Sequence, residues 1–558
     1  MNALLPNWRG SFAVNKFSLY WNTIRYLKPS QVYGRLFFNW LKPVIAQTPK
    51  VEPRSGSGKW IKPAEREPSM VGALKFNLLG QTKDLQEIDW NGSQMEKLWR
   101  YNQHYFDDLN AKQSSERVSW HKELIEDWIA RNPPCKGIGW EPYPTSLRIV
   151  NWIKWTNAGN VLSPEALESL AIQAEWLSKR VERHLLGNHL LANAKALVFA
   201  GLFFDGSPAK IWLSTGLEIL MGEIPEQILE DGAHFERSTM YHALMYEDAL
   251  DLFNALSNVD SVPSDLAGLR AELLEKIPKM GEWLNSMCHP DGEISFFNDA
   301  ALGISPPPGE LANYAQRLGF RQPAETSRDS RHLPDSGYVR LDGESAVAML
   351  DVAPLGPDYL PGHGHADSLS FELSIHGQRV IVNGGTSTYE PGERRLRERG
   401  TSSHSTVEID DKDSSEVWGS FRVARRARPT VSNCELISSP KIVSCSHDGY
   451  ARLPGKPIHE RTWELHDKEL KVSDQVIGGK CSGVSRYIVH PSVKVESTGA
   501  SSWLLTLGNG QQVRFDGLKG SAGVEAAHYA PRFGQVLNTQ CICVKLDDGN
   551  ASTRLSWD

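Results

Sequence analysis

The run Pro361-Gly362-His363-Gly364-His365-Ala366-Asp367-Ser368-Leu369-Ser370-Phe371-Glu372-Leu373-Ser374-Ile375 changes character halfway along. From Ser368 onward, Leu369, Phe371, Leu373 and Ile375 alternate with Ser368, Ser370, Glu372 and Ser374, the period of two expected of a strand buried on one face. Just before it, His363 and His365 stand two residues apart. On an extended backbone both imidazoles point to one spot, and the flanking glycines leave room beside them. Such a pair suits a metal ion, a proton transfer, or one of each.

Downstream, the strand period persists. Val380-Ile381-Val382-Asn383 follows, then Ser402-Ser403-His404-Ser405-Thr406-Val407, so a third histidine opens another apparent strand and three imidazoles can converge. Gly508-Asn509-Gly510 and Asp548-Gly549 each lie between alternating runs and read as hairpin turns. This half is expected to be an antiparallel β-sandwich. Upstream, the period is helical. Ser163-Pro164-Glu165 reads as an N-cap with Pro at the first helical position, followed by Leu167, Leu170, Ala171, Ala174, Leu177 and Val181 on one face. A second stripe follows Ser264, and Ala192 to Phe203 is apolar nearly all round, so it should lie deep. No fixed repeat is visible. Pro and polar residues accumulate at 305–309 and 322–335, which places the boundary between a helical domain, 1–325, and a β-domain, 326–558.

The whole chain, 558 residues with 40% hydrophobic and 23% charged residues, is ordinary globular material. A net charge of -7 argues against general nucleic-acid affinity. Seven scattered cysteines form no dense framework, and no apolar stretch approaches the roughly 20 residues needed to span a bilayer. Asn7, Arg9, Ser11, Asn15 and Lys16 break every early apolar run, so no export signal is expected and the chain is read as cytoplasmic, with a periplasmic location as the alternative. The N-terminal 60 residues carry Trp8, Tyr20, Trp21, Tyr26, Tyr33, Phe37, Phe38 and Trp40 among basic residues. They are expected to pack on the helical domain rather than to lie on a membrane, because the basic face is broken and no anchor motif is present.

A second chemical cluster lies in the helical half: Gly187-Asn188-His189, and Asp231-Gly232 with Glu236, Ser238 and Tyr241. Asn188 offers a neutral donor to a carboxylate, and Tyr241 a phenol for proton transfer. Together with the His-Gly-His-Ala-Asp run and Ser403-His404-Ser405-Thr406-Val407, in this order and spacing, the cluster resembles the heparinase II/III family of polysaccharide lyases over residues from about 90 to 430. The stretch Trp99-Arg100-Tyr101-Asn102-Gln103-His104-Tyr105-Phe106 is similar to the family's aromatic run near the substrate.

That resemblance implies an incomplete N-terminal α/α toroid before the β-sandwich, and β-elimination at a uronic acid. It implies that Asn188 neutralises the carboxyl group, that His189 assists or acts as base, that Tyr241 protonates the leaving oxygen, and that His363 is the second candidate base. It further implies a structural zinc on His365 and His404, with Asn383 where an acidic ligand is expected, and no organic cofactor. Tyr101, Asn102, His104, Trp140 and Arg399 are the expected contacts to an anionic polysaccharide or oligosaccharide. Trp140 belongs to a Trp-rich region holding 12 of the 18 tryptophans, and Arg399 to the run Arg394, Arg395, Arg397, Arg399, whose guanidinium forks suit carboxylates. Two alternatives remain open: a glycoside hydrolase using Glu141, Asp231 and Glu236, and a non-catalytic polysaccharide-binding or assembly protein of surface polysaccharide production.

Overall fold

The computed structural model describes residues 16–558 apart from 41, 55, 57, 58, 260–263, 322–328 and 480. The early residues on which the expected lack of an export signal rests therefore lie mostly outside the described residues, as does part of the expected boundary.

The chain forms an incomplete α/α toroid followed by an antiparallel β-sandwich. The toroid is built from Val118–Arg131, Pro142–Asn157, Pro164–Ser178, Gly187–Phe203, Ser207–Gln227, Thr239–Ser257 and Ser264–Ser286, with Pro308–Arg317 after them. Ser163 caps its helix as its sequence demands, its hydroxyl accepting from the Ala166 N–H at 3.2 Å. The Gly187–Phe203 helix is buried over nearly its whole length and packs against Pro142–Asn157, Ser207–Gln227 and Thr239–Ser257, the position its all-round apolar surface requires.

Two of the toroid's turns repeat each other 60 residues apart, a period the sequence hides. Ile228 bridges His234, and Cys288 bridges Ile294. Phe235 N–H donates to the Gln227 carbonyl at 2.8 Å, and Ser295 N–H to the Met287 carbonyl at 3.0 Å. The Asp231 carboxylate accepts from the Ala233 N–H, and that of Asp291 from the Glu293 N–H. Gly232 and Gly292 both adopt positive φ, at 90° and 85°. Only the Asp-Gly pairs are shared in sequence, because the rest of each turn is set by backbone bonds that place no demand on side chains. The first turn leads to Glu236 and the second to Asp299, so the repeat delivers two carboxylates to one end of the toroid.

The sandwich pairs a nine-stranded with an eight-stranded sheet. Leu341, Leu350, Phe371, Leu373, Ile381 and Val489 of the first meet Val443, Trp463, Val472, Leu505, Phe515 and Leu555 of the second in one core. Gly508-Asn509-Gly510 does close a hairpin, with Trp503 opposite Phe515. Asp548-Gly549 does not: it carries the chain from Gln535–Lys545 in one sheet to Asn550–Trp557 in the other. Alternation in both flanking runs is satisfied by two different sheets facing one core, which pattern alone cannot separate from a hairpin. The strand read from Ser368 begins at Phe371 and is buried on both faces. Leu373 and Ile375 enter the sandwich core, while His289 of the second turn covers the other face, with Nε2 at 2.8 Å from Glu372 Oε2 and Nδ1 at 2.8 Å from Ser374 Oγ. The serines and the glutamate that looked solvent-facing form the seam with the toroid.

Candidate active site

At that seam the toroid and the sandwich bring their chemistry together. Tyr241 lies in the first turn of Thr239–Ser257, whose N-cap Ser238 accepts from its backbone N–H at 3.1 Å. Its ring meets that of His363 with centroids 4.0 Å apart, and its hydroxyl lies 3.0 Å from that of Tyr389. His363 and His365 lie in the loop before the strand rather than on an extended segment, yet they converge, because both bind one carboxylate. Asp299 Oδ2 accepts from His363 Nδ1 at 2.9 Å, and Oδ1 from His365 Nε2 at 2.8 Å. Arg395 donates to both oxygens through its two terminal nitrogens. Asn298 takes φ 57°, and its side chain holds the His365 N–H at 2.9 Å, which aims Asp299 at the pair.

These partners fix the proton positions. A carboxylate oxygen can only accept, so His363 carries a proton on Nδ1, and in the neutral imidazole Nε2 then presents a lone pair towards Glu236 Oε2, 3.7 Å away. Burial raises the Tyr241 phenol well above its usual value of 10, and Tyr389 and the Asp299 charge add to the effect, so Tyr241 holds its proton at neutral pH. Asp299, despite burial, is held far below the carboxylate range by Arg395 and the two histidines. Glu236 is buried, and neither oxygen has a hydrogen-bond partner among the described residues. Burial raises its pKa, opposed by the nearby His363 and His189.

Asn188 and His189 begin the buried helix. Gly187, at φ 56°, makes that start possible: a Cβ there would lie 2.4 Å from Leu360 and 3.0 Å from Glu236 Oε1. His189 Nδ1 is 3.2 Å from Glu182 Oε2; burial works against its charge, but Glu182 prevails and raises its pKa. The side chains of His189 and His363 keep 30% and 16% of their surface open, enough to meet a ligand. A line of rings, Tyr101, Tyr105, Tyr143 and His189, runs to the site at centroid spacings of 6.5, 6.0 and 4.4 Å.

Of the expected sugar contacts, Tyr101 and Asn102 stay half-exposed beside this line, Tyr101 bonded to Glu141 and Asn102 to the Leu98 carbonyl. The other three are corrected. His104 is wholly buried between the Trp90 carbonyl at 3.1 Å and the Trp128 indole N–H at 3.0 Å. Trp140 packs on Trp128, with Arg148 against both rings. Arg399 is buried and spends its guanidinium on the Gly364 and Gly419 carbonyls, which shape the His363 loop. Aromatic and basic residues in a run cannot declare from sequence which of them turn inwards.

At the expected zinc site, His404 Nδ1 must donate to the Gly400 carbonyl at 2.8 Å, and His365 Nε2 to Asp299. Both remaining nitrogens, His365 Nδ1 and His404 Nε2, then carry lone pairs and face each other at 3.1 Å. Burial depresses both pKa values, His365 to about 4. Two facing lone pairs fit a shared cation. Asn383 does not complete the set: its carbonyl accepts from the Ser405 N–H at 3.0 Å and its amide donates to Ser370. No cluster of three His, Cys, Asp or Glu suited to a metal exists among the described residues.

A hydrolase pair is likewise not assembled, since Asp231 is spent on the Ser336 N–H and hydroxyl at 2.8 and 2.7 Å, and Glu141 on Tyr101 and Lys97. Sequence reading missed Asp299 and Tyr389 as parts of the site, and reached Arg395 only as one of a run of possible substrate contacts, whereas its fork binds Asp299. The only signal for Asp299 was a polar Asn-Asp pair ending the apolar run Ile294 to Phe297.

Comparison with known proteins agrees with this architecture. The family model described as heparinase II/III N-terminus matches residues 70–309, and that described as heparinase II/III-like, C-terminal, matches 325–558. A heparin-sulfate lyase of Bacteroides stercoris is 25% identical over 347 residues, 53% of this chain and 50% of that protein. FtsZ-localized protein C of Caulobacter vibrioides is 24% identical over 304 residues, 54% of this chain and 50% of that one. The chain thus spans about half the length of the curated relatives it matches. The crystal structure of heparinase III superposes with a TM-score of 0.67 at 18% identity, covering 94% of this chain and 88% of that one. The chain belongs to the heparinase II/III family.

Proposed function

We propose that the protein is a polysaccharide lyase that cleaves a uronate-containing polysaccharide or oligosaccharide by β-elimination. The observation that carries this reading is the contact of Tyr241 with His363, one from each half of the molecule, with His363 backed by Asp299. A proton-bearing phenol and an imidazole with a free lone pair then stand side by side, the two groups an elimination needs. His363 Nε2 takes the C5 proton of the uronate. The electron pair of the broken C5–H bond forms the C4–C5 double bond as the C4–O4 bond breaks, and the leaving oxygen takes the Tyr241 proton. Return of the proton from His363 to Tyr241 restores both groups. Asn188 and His189, whose pKa Glu182 raises, face the charge that builds on the uronate carboxylate. Tyr101 and Asn102 line the approach.

Zinc, if bound, would sit between His365 and His404 and tie two loops under the site; no proton passes through it. Metal analysis of the purified protein should then find zinc, and His404→Ala should lose it. Retention of zinc by His404→Ala, or a zinc-free protein, would show that the two imidazoles hold no zinc.

The test of the lyase reading is ultraviolet absorbance of the conjugated product on a panel of uronate polymers and oligomers. Tyr241→Phe and His363→Ala should each lose about 10²–10⁴-fold in rate, while retaining the native melting temperature within a few degrees. Chains shortened without absorbance, or unaltered by the active protein on every substrate, would overturn the reading.

A further inference from the structure

The N-terminal helices, Lys16–Ile24 and Pro29–Trp40, do not pack as their sequence leads one to expect. They strap both halves of the molecule, but with their polar residues inwards. Asn22 and Gln31 are buried, at 8% and 6% exposure. Gln31 donates to the Tyr359 carbonyl at 3.0 Å, and Thr23 receives the Trp418 indole N–H at 3.0 Å. Gly34 fixes the second helix against the toroid, since a Cβ there would lie 2.9 Å from that of His184, and Phe38 stacks on the same histidine. With positions 31, 34 and 38 inwards, the opposite arc presents Val32, Tyr33, Leu36, Phe37 and Trp40, all exposed, Trp40 at 84%. Trp21 and Ile24 extend the patch from the first helix. Folding has turned an apolar stripe away from the protein.

The segment's own charge has one sign, with Lys28 between the two helices paired to Glu226 of the toroid. Residues 1–51 hold seven Lys and Arg and no Asp or Glu, in a chain of net charge -7. Lys16, Arg25, Arg35 and Lys42 are exposed beside the patch.

We propose that these two helices dock the protein on an anionic lipid bilayer, lying in its surface. Trp, Tyr, Phe and aliphatic side chains on one arc, flanked by cations, are what the headgroup boundary accepts. A second copy is a poor occupant, because a symmetric contact would bring two uniformly positive segments together. A sugar chain is also a poor one, because Ile24, Val32 and Leu36 offer it no ring face to stack on. No described helix is long and apolar enough to cross a membrane, so the attachment is to the surface. The proposal is independent of the lyase reading.

Sedimentation of the full chain with vesicles tests it. The protein should pellet with equimolar phosphatidylcholine and phosphatidylglycerol at low salt and stay soluble with phosphatidylcholine alone. Leu36→Ser/Phe37→Ser/Trp40→Ser should weaken binding at least tenfold, and so should Arg25→Ser/Arg35→Ser/Lys42→Ser, whose exposed sites leave folding intact; circular dichroism verifies both. Protein left in solution with the anionic vesicles overturns the proposal. So does binding unchanged in both variants, or an apolar variant that instead loses self-association or retention on an immobilised polyuronate.

Discussion

Asp299 decides how the site works, because one carboxylate serves four side-chain donors at once, His363, His365, Arg395 and Thr386. It sets the tautomer of His363, and therefore where the free lone pair points, while holding His365 and Arg395 in place. Asp299→Asn leaves the Arg395 guanidinium buried without a counter-charge, a loss of about 3–5 kcal/mol, to be read by urea unfolding. Asp299→Asn/Arg395→Met removes both charges and should recover most of that stability without recovering activity, since the amide offers one acceptor oxygen to two imidazoles and no charge to stabilise His363 once it has taken a proton. Recovery of activity in the double variant would make the His363–Asp299 contact structural only. Sequence inspection reached His363, His365 and His404 because histidines near glycines are conspicuous. It did not reach Asp299, whose importance comes from where the second Asp-Gly turn sends it, 64 residues before His363.

Three helices of the toroid were legible, one from its Ser163 cap and stripe, one from the all-round apolar run to Phe203 and one from the stripe after Ser264, but what binds the helices to one another was not. Pro142–Asn157, Gly187–Phe203 and Thr239–Ser257 share a buried ionic cluster. Asp251 accepts from Lys154 Nζ at 2.9 Å, Lys195 Nζ at 2.7 Å and the Tyr314 hydroxyl at 3.1 Å, while Lys195 also meets Asp248 at 2.7 Å. Each lysine reads in isolation as a flaw in an apolar face. The two ammoniums hold Asp251 below its ordinary carboxylate range against the effect of burial. Asp251→Asn should cost about 3–5 kcal/mol by stranding positive charge among three helices, whereas a change below about 1 kcal/mol in a denaturant titration would mean that water reaches the cluster. The strands teach a related lesson. Period two located Phe371–Ile375, yet Glu372 and Ser374 looked solvated because the pattern cannot show that a toroid covers the second face.

The molecule as a whole is joined across its seam by a continuous apolar core in which Val382, Ile488, Tyr529 and Phe533 of the sandwich half cluster with the toroid's Phe296 and Ile294. The halves should therefore melt in one calorimetric transition, and two well-separated transitions would show that the seam contributes little. Acid should lower that transition through histidines that are buried uncharged. His242, buried, accepts the His234 N–H at 3.1 Å and donates to the Met280 carbonyl at 3.0 Å, tying a turn to two helices. Burial depresses it to about 3, and burial with the Arg379 charge depresses His490, beside Tyr529 at the seam, to about 4. Unfolded, each titrates near 6.5. A base whose folded pKa is depressed contributes stability that is complete above the unfolded value and is lost as the pH falls towards the folded one. The melting temperature should thus fall steadily between about pH 6.5 and pH 4, and His242→Gln, which cannot take up a proton, should flatten that fall. An equally steep fall in His242→Gln would assign the acid sensitivity to other groups.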